Sequence, residues 1–165
     1  MKILVLSDSH SGMSFMRQCI RAVKPDEVIH LGDYYGDGLA LSEEYPHLRF
    51  HQVPGNCDRY MAMGRQPEVL RYDIGGVRFF MTHGHLHRVK TVLYMLLMDA
   101  RRNNAAIALY GHTHNEYCQQ EPDGLWVLNP GSCGSSGGSC GVIEIENKKI
   151  TACTVLYRAD LEEML

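Results

Sequence analysis

Five short segments collect residues that bind metals or move protons: Asp8-Ser-His10, Gly32-Asp33, Gly55-Asn56-Cys-Asp58, His83-Gly-His85 and Gly111-His112-Thr-His114. Each follows an apolar run that reads as a strand. Any one of them has an ordinary explanation, Asp8 as a helix cap and the Gly-Asp and Gly-Asn pairs as turn dipeptides. Together they point to one place, because ligands of open α/β sheets bind outside the carboxyl ends of the strands. Carboxylate, amide and imidazole suit Mn, Fe, Co, Ni or Zn, and the lack of a Cys-x-x-Cys pair speaks against a closed thiolate zinc site. One open site takes three protein ligands, so seven good candidates among these segments suit two ions. Two ions about 3.5–4 Å apart, bridged by a carboxylate and a hydroxide, activate that water and steady a phosphoryl group. The chemistry implied is hydrolysis of a phosphate ester.

The elements that must carry these residues follow from the pattern of apolar residues. Lys2–Ser7 is a continuous apolar run, expected of a strand buried on both faces. Ser14–Lys24 sets Phe15, Cys19, Ile20 and Val23 on one helical stripe and is stopped by Pro25. Strands at 27–31 and 49–53 and a short helix at 39–45 complete a β-α-β-α-β opening. Gly75-Gly76 between the runs 69–74 and 77–82 is a two-residue hairpin signal, so antiparallel pairing enters there. A helix is expected over 89–103, strands over 105–110, 116–120, 125–128, 141–146 and 150–157, and a terminal helix after that. His112 and His114 lie two apart, which in a strand turns both rings to one face.

Composition bounds the rest. The 165 residues, 45% hydrophobic and 21% charged, fit one domain spanning 1–165, which buries roughly 70% of its unfolded surface. A metal is therefore functional here rather than a staple. The net charge of −3 offers no basic block for an extended nucleic-acid footprint. Ser7-Asp8 cuts the first apolar run short of a signal peptide and 92–98 is too short to span a bilayer, so a cytoplasmic protein with six reduced thiols is expected.

In order and spacing the five segments resemble the calcineurin-like metallophosphoesterases, whose pattern runs Asp-x-His, Gly-Asp, Gly-Asn, a lone His after a strand, and Gly-His-x-His. The likeness covers nearly the whole chain and is nearest to the small bacterial and archaeal phosphodiesterases to which the retromer subunit Vps29 is related. It implies an α/β fold, a four-layer αββα sandwich of two mixed sheets flanked by helices. It also implies that Asp8, His10, Asp33 and His114 hold one ion and Asp33, Asn56, His83 and His112 the other, with Asp33 as bridge and Asn56 helping to orient the phosphoryl oxygen. Two divalent ions are expected, Mn foremost, with Ni, Co, Fe, Zn or Mg as alternatives, acting on a small phosphate ester. Larger members carry Gly-Asn-His-Asp or Gly-Asn-His-Glu where Cys57 stands here, so the proton donor is left to His85, Asp58 or a metal-bound water. The function implied is a phosphodiesterase. A phosphomonoesterase or nucleotide hydrolase on the same centre, and a non-catalytic Vps29-like module, are the alternatives, and a homo-oligomer is open.

Blander readings attach to the remaining residues. His87 reads as a solvated loop histidine, His47 and His51 as structural or surface groups, and His30 as at most a supporting partner of the site. Asn129-Pro-Gly-Ser132 is either a plain turn or a support of the pocket. Cys133 and Cys140 fit no ligand spacing, and Met95 and Met98 read as adaptable core or a subunit contact. Tyr34, Tyr35 and Tyr60 flank the motif loops, as stacking partners or rim.

Overall fold

A computed structural model describes residues 1–58, 65–134 and 138–165; Tyr60 lies outside the described residues. Among the described residues, ten strands form two mixed five-stranded sheets. The first contains β1 (Lys2–Leu6), β2 (Glu27–His30), β3 (Arg49–Gln52), β9 (Ser139–Glu146) and β10 (Lys149–Tyr157) in the order β10-β9-β1-β2-β3. The second contains β4 (Val69–Ile74), β5 (Val77–Thr82), β6 (Ile107–Leu109), β7 (Tyr117–Gln120) and β8 (Trp126–Asn129) in the order β4-β5-β6-β8-β7. Helices α1 (Met13–Val23), α2 (Tyr35–Glu44) and α4 (Arg158–Met164) accompany the first sheet, and α3 (Tyr94–Arg102) the second.

Alternation along the strands explains four layers. In β1, Ile3 and Val5 enter the core between the sheets, while Leu4 and Leu6 pack outward against Phe15, Met16 and Cys19 of α1. In β5, Phe79 and Met81 point inward and Phe80 outward, toward Leu96 and Ala100 of α3. A continuous apolar run is the signature of a strand covered on both sides. The order helix, sheet, sheet, helix is the expected αββα sandwich.

The β1-α1-β2-α2-β3 opening is parallel throughout, as read from sequence. Helix α1 ends at Lys24, a left-handed cap with φ 50° whose N–H reaches the carbonyl of Ile20. The hairpin β4–β5 turns on Gly75 (φ 58°) and Gly76 (φ 79°), with Ile74 opposite Val77. Positive φ at both central residues gives the turn a twist that matches the strands.

Three local expectations need correction. Helix α2 starts at Tyr35, four residues before the expected Leu39; Gly36 and Gly38 hide it, since glycine is a poor helix former. A Cβ at Gly38 would lie 2.1 Å from the side-chain oxygen of Gln52, so the glycine lets α2 pack closely on β3. Helix α3 starts at Tyr94 rather than Val89, because 84–92 is taken up by tight turns tied back to Gly84 and Arg88. His112 and His114 are not in a strand: β6 ends at Leu109 and both stand in the loop beyond it.

Candidate metal centre

Asp8 follows β1, Asp33 follows β2, Asn56 follows β3, His83 follows β5, and His112 and His114 follow β6, so the loops gather where both sheets end. Backbone bonds join them: Asp8 N–H donates to Gly32 O (2.9 Å) and Gly111 N–H to His83 O (2.9 Å). Glycines permit the approach. A Cβ at Gly55 would sit 2.0 Å from Asp33 Oδ1, one at Gly32 2.5 Å from Gly55 N, and one at Gly111 2.0 Å from Ser7 Oγ.

Asp8 (φ 51°), His10 (41°), Asp33 (54°), His112 (67°) and His114 (61°) all adopt left-handed backbone. That conformation costs an L-residue about 1–2 kcal/mol. Clustered strain of this kind belongs to sites whose geometry is held by surrounding structure. Here the turn after β8 supplies much of the hold. Ser132 Oγ donates to Asp8 O (2.9 Å), Cys133 N–H to Ser7 O (3.0 Å), and Asn129 Nδ2 to both Gly111 O (3.1 Å) and Thr113 Oγ1 (2.9 Å). The Asn129–Ser132 segment is thus a support of the pocket.

Ligand atoms of Asp8, His10, Asp33 and His114 all lie within 4.8 Å of one another. Asp8 Oδ2 accepts from Ser7 Oγ and the His112 N–H (3.0 Å), but Asp8 Oδ1 is buried without a hydrogen bond, 3.1 Å from His114 Nε2 and 3.9 Å from His83 Nε2. His10 Nε2 is likewise buried and unbonded, 3.8 Å from Asp33 Oδ2. Buried polar atoms without partners are costly unless something else satisfies them.

A second group surrounds the other oxygen of Asp33. His83 Nδ1 lies 2.8 Å from Leu31 O, which can only accept, so Nδ1 carries the proton. In the neutral ring Nε2 is then a lone pair, facing Asn56 Oδ1 at 3.1 Å and Asp33 Oδ1 at 3.5 Å. Acceptors turned on one another need a positive charge between them, which a proton on Nε2 or a bound cation would supply. The His112 ring lies 5.0 Å from that of His83. Burial, the largest influence, lowers the His112 pKa to about 4, leaving a neutral imidazole at physiological pH. Burial opposes ionisation of Asp33, but neighbouring positive charge and the Cys57 N–H (2.9 Å) outweigh it and hold the carboxyl below its usual range. Neutral imidazole and ionised carboxylate are the forms that bind metals.

The remaining candidates separate clearly. His85 stands at the rim, its ring 5.5 Å from His83 and 6.1 Å from His112. Both oxygens of Asp58 accept backbone N–H bonds, from Tyr35 (2.9 Å) and Gly55 (2.8 Å), so it braces the loop after β3. Cys57 is exposed, its thiol pushed up by burial of its surroundings and by Asp33. His87 is not solvated: it is buried, 3.0 Å from Asp99 Oδ2 and edge-on to Phe80. His30 is buried against Ser9 Oγ (3.2 Å), while His51 pairs with Glu27 of β2 (2.6 Å). Tyr34 leans edge-on over His10 at 5.0 Å. Sequence reasoning missed Asp37, whose Oδ2 accepts from Ser9 Oγ and Ser11 N–H, both at 2.8 Å. Its signal was an acid in the first turn of a helix that the glycines concealed.

The sequence pattern of the calcineurin-like phosphoesterase superfamily domain matches residues 1–148. The chain belongs to this superfamily. Among calcineurin-like phosphoesterases it is similar to a probable metallophosphoesterase of Mycoplasma pneumoniae, 31% identical over 134 residues, 79% of this chain and 78% of the relative. A phosphodiesterase of Methanocaldococcus jannaschii is 28% identical over 168 residues, 90% of this chain and 96% of the relative. A solved structure of a Vps29 variant from Entamoeba histolytica shares the fold at TM-score 0.70 and 21% identity, covering 95% of this chain and 99% of that one. Calcineurin-like metallophosphoesterases use divalent metals, and the four-residue cluster around Asp8 and Asp33 offers a place for one.

Proposed function

We propose that this metallophosphoesterase is a phosphodiesterase working with two divalent ions, Mn foremost, on small phosphate diesters. The observation that carries the reading is the position of Asp33, with Oδ2 toward His10 and Oδ1 toward His83, whose ring faces Asn56. A carboxylate turned to two ligand groups is what a bridging residue requires. Asp8, His10, Asp33 and His114 would hold the first ion, and Asp33, Asn56, His83 and His112 the second. The ions supply Lewis acidity toward the phosphoryl oxygens and a water nucleophile active near neutral pH.

The chain's own groups do the rest. Ser7, the His112 N–H and Ser132 fix Asp8, and Leu31 O fixes the tautomer of His83, so reacting groups are oriented before substrate arrives. The Asn56 amide orients the phosphoryl oxygen. His85, at the rim beside His83 and His112, hands a proton to the leaving oxygen; it suits that task better than Asp58, whose two oxygens accept backbone N–H bonds. Similarity to the archaeal phosphodiesterase favours a diester over a monoester. A binding module that only kept the fold has no need of His10, which here completes the ligand cluster.

The test compares bis(p-nitrophenyl) phosphate with p-nitrophenyl phosphate on chelator-stripped protein restored with Mn, Ni, Co, Zn or Mg. Preferential, metal-dependent cleavage of the diester, lost in Asp33→Asn, is expected. Metal binding without cleavage of either ester overturns the reading in favour of an interaction module.

A further inference from the structure

Away from the metal centre, the two sheets meet along one open edge where β7 and β10 are in contact. Cys118 of β7 and Cys153 of β10 face each other there with sulfurs 3.4 Å apart. Cys153 belongs to the core between the sheets and is 8% exposed, while Cys118 packs against that core and is only half-buried. The pair therefore has one thiol that solvent reaches and one that it does not.

We propose that Cys118 and Cys153 are an oxidative modification site, a thiol pair that hydrogen peroxide converts to a disulfide joining the edges of the two sheets. Cys118 is the attacking group. Its sulfur displaces water from the peroxide and becomes a sulfenic acid. The Cys153 sulfur then attacks Cys118, expelling the second water as the S–S bond forms. Two thiols and one peroxide give one disulfide and two waters, the sulfurs being oxidised and the peroxide oxygens reduced. The sulfurs need to close by about 1.3 Å to reach bonding distance, a movement within the reach of side-chain rotation on two edge strands.

The other cysteines lack this combination. Cys19, Cys133 and Cys140 are fully buried between the first sheet and its helices, where burial and neighbouring thiols hold Cys19 and Cys133 protonated. Cys57 is exposed, but the adjacent Asp33 carboxylate disfavours its thiolate. The Cys118 thiol donates to the Cys153 carbonyl (3.2 Å) and faces the Cys153 sulfur (3.4 Å), so the half-buried thiol has its partner already in place. Solvent access with a second thiol at hand is what directs oxidation to this pair.

The experiment treats the intact metal-loaded protein with hydrogen peroxide, unfolds it in the presence of an alkylating reagent, and maps the peptides by mass. The expected product has lost two alkylatable thiols and two hydrogens, carries a 118–153 cross-link reversed by dithiothreitol, and melts at higher temperature than the reduced form. Cys118→Ser, at the half-buried position, must abolish the cross-link and the melting shift while the variant keeps its unoxidised melting temperature to within a few degrees. Cys153→Ser must instead leave Cys118 trapped as a sulfenic acid that dimedone labels. Oxidation confined to Cys57, or Cys118 and Cys153 both alkylated after treatment, overturns the proposal.

Discussion

Asp33 carries the first of three tests at the level of single side chains. Replacing it by Asn keeps the shape but removes the charge that faces both ligand groups. Because loss of mere supporting partners already costs metal sites about 10–100-fold, Asp33→Asn is expected to lose more than about 100-fold in kcat, with metal content falling in parallel. Asn129→Ala tests a supporting partner proper: metal affinity, read by titration of stripped protein, is expected to fall about 10–100-fold while the first group of ligands is intact. A third test concerns His30, whose pKa burial lowers from 6.5 to about 4. The folded ring resists a proton that the unfolded ring accepts, so its contribution is complete above about pH 6.5 and drains as pH falls toward 4. Urea unfolding at pH 7 and pH 4.5 should show a loss that is smaller by roughly 2–3 kcal/mol in His30→Asn. Equal losses in both proteins contradict it.

Among the elements, the loops are more constrained than the strands that bear them. Gly55→Ala drives a methyl into Asp33 Oδ1, and is expected to cost about 1–3 kcal/mol of stability and to displace Asp33 from both ligand groups. Circular dichroism at increasing temperature and diester turnover together check it; full activity at an unchanged melting point contradicts the packing. These loops also mark what a sequence reveals. The motif residues were legible because their types are unusual and each follows an apolar run. The strands and the Gly75-Gly76 hairpin were legible because burial on two faces and positive φ leave direct traces. The start of α2 and the place of His112 and His114 were not. Helix propensity at Gly36 and Gly38 is overridden by packing on Gln52, and two residues in left-handed backbone leave no period-2 signature to distinguish loop from strand. Asp58 and His87 escaped for a related reason: their roles are set by partners distant in sequence, Tyr35 and Asp99.

For the molecule as a whole, a core shared by both sheets couples the metal centre to global stability. Phe79, fully buried between the sheets, is expected to cost about 3–5 kcal/mol on replacement by Ala. Metal works in the opposite direction, since a ligand that binds only the folded chain at 100 times its Kd adds about 2.7 kcal/mol. Melting curves of stripped, reloaded and chelator-treated protein measure this, and a melting point indifferent to metal contradicts it. The pairing of β1 with both β2 and β9 has a consequence for the newborn chain. Ser132, which bonds the Asp8 carbonyl, leaves the ribosome 124 residues after Asp8, and the strand that completes the sheet around β1 later still. During translation the first half can lay down β1, β2 and β3 side by side, with their ligand-bearing loops unbraced. Metal capture is thereby deferred until the chain through β9 has been made, and ribosome-bound fragments ending before residue 139 should emerge without a competent centre.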